Sequence, residues 1–167
     1  AICAGTQPLQ GQPTRGADEL ATLIYTSGTT GMPKGVMHTF GNFAWALGAG
    51  IQRIAMNEQD RMLSYLPLAH VVERVLVEHG WLRTGMHVYF AESLDTFAAD
   101  LQRARPTIFF SVPRLWVKFQ QGIHHKMPEQ KLQRLLSLPL IGGLVRRKVQ
   151  KALGLDQCRV AAGGAAP

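Results

Sequence analysis

The stretch YTSGTTGMPKG, Tyr25–Gly35, decides how the rest of this chain is read. Eleven residues hold Thr26, Ser27, Thr29, Thr30, three glycines, Pro33 and Lys34. The apolar, partly β-branched segment Leu20–Tyr25 precedes it and reads as a buried strand. A strand that empties into a glycine- and hydroxyl-rich loop with one lysine is built to hold phosphates. Glycine lets backbone N–H groups approach an anion, hydroxyls donate to its oxygens or ligate its metal, and lysine adds a mobile charge. A run of this composition is also what a plain surface loop looks like. The spacing is not that of the P-loop G-x-x-x-x-G-K-[ST], because Gly35 follows Lys34 where a hydroxyl would stand.

Working outward, residues 1–18 form a Pro/Gly-rich approach. Val36–Thr39 reads as a short strand, with His38 as a half-buried polar residue. Phe40, Phe43, Ala44, Leu47, Ile51 and Ile54 recur at helical spacing, with Trp45 off the stripe. Strand–helix–strand–helix–strand over 61–126 predicts parallel α/β packing with right-handed crossovers. The strands expected are Arg61–Leu66, Met86–Phe90 and Thr107–Val112. Val112, Leu115, Trp116, Phe119 and Ile123 mark one apolar helical stripe. Residues 127–154 read as a helical insertion of two helices, broken at Pro139 and closed by Gly154. The second helix carries Arg146, Arg147, Lys148 and Lys151 on one face. That face is either a solvated surface or, through 141–153, a peripheral contact with an anionic membrane. Cys158–Ala162 is a last strand, running into GGAAP. Glu73 and Arg74, adjacent and opposite in charge, read as a solvated or structural pair.

The chain has 167 residues, enough for one domain with a core. Its charge is +7, from 18 Lys+Arg against 11 Asp+Glu, which suits polyanionic ligands or an anionic membrane. No nucleic-acid motif or basic-aromatic interleaving is present, so nucleic acid is not the expected partner. Two distant cysteines suggest reduced thiols and a cytoplasmic setting, with the inner membrane face as the site of any peripheral contact. No apolar run is long enough to span a bilayer.

YTSGTTGMPKGV closely resembles the phosphate-binding signature of the adenylate-forming superfamily, which includes acyl-CoA synthetases, firefly luciferase and peptide-synthetase adenylation domains. LSYLPLAHVVERV, Leu63–Val75, resembles a second core motif of its long-chain acyl-CoA synthetases. VPRLWVKFQQGI resembles the segment lining the acyl tunnel there, with Trp116 as a wall. The resemblance implies an α/β fold, a mainly parallel sheet flanked by helices, forming part of the large N-terminal domain of an adenylate-forming enzyme. In that reading 1–18 is loop, 19–126 the α/β core with the phosphate loop, 127–154 the insertion, and 155–167 the strand and adenine-side turn.

The resemblance also implies site roles. Ser27, Gly28, Thr29, Thr30, Gly31 and Lys34 would hold the β- and γ-phosphates of ATP, and Thr26 would ligate Mg²⁺. His70 would orient the fatty carboxylate. Gly163, Gly164, Ala165, Ala166 and Pro167 would approach adenine. Thr26, Lys34 and His70 are the expected catalytic positions, and coenzyme A the expected co-substrate. The family's enzymes are several hundred residues long in two domains. A chain that opens on Ala1-Ile2-Cys3 and stops at GGAAP is therefore expected to be a piece of such a protein, lacking the C-terminal domain, inactive alone and prone to self-association. Two alternatives stay open: a carrier-protein ligase or aryl- or amino-acid-activating member of the superfamily, and a non-catalytic nucleotide-binding module.

Overall fold

The computed structural model describes Gly5, Gln7, Gly11, 14–26 and 31–164. The chain packs as two compact units, 1–45 and 46–167. In the first, strand β1 (Leu20–Thr26) pairs antiparallel with β2 (Lys34–Thr39), in register from Thr26 opposite Lys34 to Thr22 opposite His38, with a bulge before Leu20 opposite Thr39. Of the stretch quoted above, Tyr25 and Thr26 end β1 and Lys34 and Gly35 begin β2. β1 is not the buried strand its composition suggested. Ile24 is buried, while Leu20, Leu23 and Tyr25 are exposed. A two-stranded ribbon covers only one face of a strand, so an apolar run must leave the other uncovered.

Helix α1 (Phe40–Ile54) follows β2 directly. Thr39 Oγ1 accepts the Asn42 N–H at 3.2 Å, satisfying one of the N–H groups that a helix start leaves open. The segment before β1 is tied to the same helix start, by Phe40 N to Glu19 O and Gly41 N to Ala17 O. The helix runs on into the second unit, with Trp45 exposed, as its place off the stripe predicts.

In the second unit β3 (Arg61–Ser64) pairs parallel with β4 (His87–Phe90), and β5 (Ile108–Ser111) pairs parallel with β6 (Val160–Gly163). Thr107 N donates to Arg61 O at 3.0 Å and Arg61 N to Thr107 Oγ1 at 2.9 Å, which joins the two pairs where their strands begin. Alternate residues on a strand face opposite sides. Met62 and Ile108 accordingly enter one core with Met56, Val77 and Met86. Leu63 and Phe109 enter another with Leu101, Ala104 and Leu155. Apolar residues on both strand faces are what a parallel sheet covered by helices requires. The α/β reading therefore holds, with parallel strands in the second unit and an antiparallel hairpin in the first.

A π-helical stretch, Glu73–His79, runs into short helix α2 (Gly80–Thr84). Helix α3 (Phe97–Ala104) precedes β5, and α4 (Pro113–Lys126) leaves it with Pro113 in its first turn. Trp116 packs edge-on against Phe109 and Phe119, as its apolar stripe predicts. Helices α5 (Glu129–Ser137) and α6 (Ile141–Leu153) are the two expected between 127 and 154. Gly154 closes α6 at φ 77°, and a methyl there would meet Leu101 O at 2.5 Å. Both facts require glycine.

Candidate nucleotide and acyl site

The hairpin that carries the expected phosphate-binding residues belongs to the first unit. Thr26 and Lys34 face each other as its last pair, and Thr26 Oγ1 lies 3.5 Å from Lys34 O, its donor direction across the mouth. Both residues are exposed. Gly31 takes φ 78°, with open space where a side chain would stand. Ser27, Gly28, Thr29 and Thr30 lie outside the described residues. Among the described residues, no group of three or more His, Cys, Asp or Glu could hold a metal. One exposed hydroxyl beside a phosphate loop fits a magnesium ion that arrives on the phosphates and takes only one or two protein ligands.

His70 belongs to the second unit, in the turn after β3. Pro67 cannot continue the strand's hydrogen bonding, and His70 N bonds back to Pro67 O at 2.8 Å. The Val72 N–H donates to His70 Nδ1 at 3.3 Å. In the neutral ring this places the proton on Nε2, so the half-buried imidazole has a donor to offer.

Two side chains one turn further on clamp this segment. Ser64 Oγ, at the end of β3, donates to Glu73 Oε1. Arg74 Nε donates to Leu68 O at 3.1 Å, while its Nη1 pairs with Glu78 at 3.1 Å. Glu73 and Arg74 are thus not partners of each other, correcting the sequence reading. Glu73 is only 2% exposed. Burial pushes its carboxyl above the usual range, against the Ser64 hydroxyl, the Leu66 N–H and the nearby His70, which favour its charged form. A signal for this was present: Glu73 stands among Val71, Val72, Val75 and Val77, three residues from His70 on the same helical face. The π-helical geometry begins at Glu73, and such departures recur at functional sites.

Gly163 ends β6 opposite Ser111, the end of β5, and Gly164 follows it. Gly164 N donates to Ser111 O at 3.3 Å. A methyl on Gly163 would stand 3.1 Å from Trp116 Nε1 and 3.5 Å from Ser111 O. The turn is therefore crowded on its inner side, and glycine keeps the backbone accessible. Ala165, Ala166 and Pro167 lie outside the described residues. Within the second unit, His70, Glu73 and Gly163 all sit at the carboxyl ends of parallel strands, the edge where open α/β sheets bind ligands.

Several known proteins resemble this chain. The long-chain-fatty-acid–CoA ligase ACSBG2 of Xenopus laevis is 34% identical over 90% of this chain and 25% of its own length. The peroxisomal acyl-CoA ligase 891 of Penicillium brevicompactum is 40% identical over 75% of this chain and 18% of its own. The A-PCP didomain of carboxylic acid reductase from Segniliparus rugosus, solved in complex with AMP, is 31% identical with a TM-score of 0.65, over 96% of this chain and 22% of that one. The chain spans about a quarter of the length of the long-chain ligases it matches. The sequence pattern of AMP-binding enzymes matches residues 4–166, so the chain belongs to the AMP-binding enzyme family.

Proposed function

We propose that this chain is the phosphate- and carboxylate-handling part of a long-chain fatty acid–CoA ligase. The observation that carries the reading is His70 at the carboxyl end of β3, its Nδ1 already engaged by Val72 and its Nε2–H left to donate. Relatives named as long-chain-fatty-acid–CoA ligases support the substrate class.

A fatty carboxylate attacks the α-phosphate of ATP, forming a mixed anhydride and releasing pyrophosphate. The thiol of coenzyme A then attacks the acyl carbon and displaces AMP. A carboxylate is a poor electrophile, so the first step turns its oxygen into part of a good leaving group. The protein's task is to align the attack and neutralise the phosphates. Lys34, the loop hydroxyls of Ser27, Thr29 and Thr30, and the backbone of Gly28 and Gly31 hold the β- and γ-phosphates. Thr26 would hold Mg²⁺, which would supply positive charge to offset that of the phosphates. His70 Nε2–H donates to the carboxylate or the α-phosphate and fixes the angle of approach. Gly163 through Pro167 approach adenine mostly by backbone, their small side chains letting the base lie close to the chain.

A second reading is that the acyl group passes to a carrier-protein thiol, which the likeness to an A-PCP didomain favours. The test is pyrophosphate release by the full-length protein with Mg-ATP and acids from acetate to oleate, with and without coenzyme A. Release peaking with long chains, and thioester formed when coenzyme A is present, is the expected result. Release without acyl-CoA favours the carrier reading. ATP binding with no release for any acid would leave a non-catalytic module.

A further inference from the structure

Helices α5 and α6 form a tight hairpin. Gly142 N donates to Leu138 O at 2.8 Å, and Gly142 lies against the Leu136 carbonyl with no room for a side chain. The hairpin carries two separate sets of apolar residues. Leu132, Leu135, Leu136, Val145, Val149 and Leu153 are half-buried. Leu138, Leu140, Ile141 and Leu144 instead crowd the tip in solvent, Leu140 87% and Leu144 68% exposed. An exposed apolar cluster of this kind, held on a rigid turn, marks a contact surface.

Its surroundings say which kind. Between Glu129 and Asp156 there is no carboxylate, while Lys131, Arg134, Arg146, Arg147, Lys148 and Lys151 are all present and exposed. Protein partners that cover leucines do not generally require an all-cationic collar. An anionic lipid surface does, because it takes the leucines into its acyl boundary and holds the collar at its headgroups. Among the described residues, no helix is long and apolar enough to cross a membrane, so this contact would lie on the surface.

The geometry points to the α5–α6 tip as a membrane anchor for anionic bilayers. Leu138, Leu140, Ile141 and Leu144 insert, and the cations of both helices grip the headgroups. The basic face of 141–153 considered from sequence is thus the collar of the contact, and the tip its centre. Such an anchor would keep the protein at a surface where long-chain acids partition. The anchoring claim does not depend on the catalytic reading.

The test is flotation of the full-length protein with phosphatidylcholine vesicles, with and without phosphatidylserine. Binding to the anionic vesicles is expected to exceed binding to the neutral ones about ten-fold, and to fall as salt is raised. Leu140→Asp is expected to lower it about ten-fold again. Leu140→Ser, a milder change at a residue packed against nothing, should lower it in the same direction with an unchanged melting curve. Equal binding to both vesicles, no binding, or binding indifferent to both Leu140 variants would overturn the proposal. So would a self-associated protein that Leu140→Asp disperses without any change in vesicle binding, since the tip would then join copies. Because the readout is binding, a protein that adenylates no acid could still float with anionic vesicles, and one that does could fail to.

Discussion

At the starting ends of β3, β5 and β6, a buried acid is closed off by a cation; at their finishing ends, one is not. Asp60, just before β3, accepts Arg159 Nε at 3.0 Å and Thr107 Oγ1 at 2.6 Å. Arg159 also donates to Ile54 O and Ala55 O, so one guanidinium ties the end of α1 to the sheet. Burial pushes the Asp60 carboxyl up, but Arg159, Thr107 and the Asn57 N–H outweigh it and hold it below the usual range. Arg105 and Asp156 form a second, more exposed ion pair nearby. Glu73, at the other edge, has no Lys or Arg ion pair among the described residues, and burial dominates it. One edge has its polar groups satisfied internally and serves as scaffold. The other keeps a histidine donor, an acid biased toward its neutral form and bare glycine backbone, all of which a ligand can use.

The largest effect that would sharpen this contrast is in catalysis. His70→Ala in the full-length protein should lower the adenylation rate about a hundred-fold, as loss of one transition-state donor does. Its melting temperature should stay within a few degrees of the wild type. Next is Arg159→Ala, expected to destabilise by about 2 kcal/mol in urea unfolding while leaving turnover per folded molecule intact. That figure sits below the usual loss for breaking a buried pair because Arg159 is itself partly in solvent. Gly163→Val should raise the KM for ATP about ten-fold with a smaller change in kcat, since its branches collide with Trp116 and Ser111 O and tilt the turn. If it changed stability alone, the adenine-side role would fail.

The smallest effect is a pair of opposite pH dependences. The Asp60 carboxyl is held low in the folded protein, so its contribution is full above the ordinary carboxylate value and is lost as pH falls through the folded one. Glu73 is held high, so the folded state binds its proton more tightly than the unfolded chain does. Its contribution is greatest in acid and fades as pH rises from the ordinary value through the raised one. Glu73→Gln, which mimics the neutral acid, should gain stability over wild type as pH rises through that window, by less than about 1 kcal/mol. The difference should vanish in acid. A gain that grew toward low pH would reverse the assignment.

Much of this was legible from residues. The strands read at 61–66 and 107–112 are present over Arg61–Ser64 and Ile108–Ser111, and Met62, Leu63, Ile108 and Phe109 are buried. Glycine and proline marked the helix breaks at Pro139 and Gly154. The hairpin was harder to see, because Leu20–Tyr25 has the composition of a buried strand and nothing local says which face will be covered. Glu73 was hidden by its neighbour. Adjacent opposite charges suggest a pair, yet side chains next to each other on a helix point in different directions, and these two bond to different parts of the preceding turn. Arg159 and Asp60 stand 99 positions apart, a distance over which no sequence period speaks.

The measurement that tests the central claim most directly is single-turnover formation of oleoyl-adenylate by the full-length protein, comparing wild type, His70→Ala and Arg159→Ala below the melting point of each. The account predicts adenylate from wild type and Arg159→Ala at similar rates, and almost none from His70→Ala. Equal rates from His70→Ala and wild type would contradict it. So would the absence of any adenylate from the wild type.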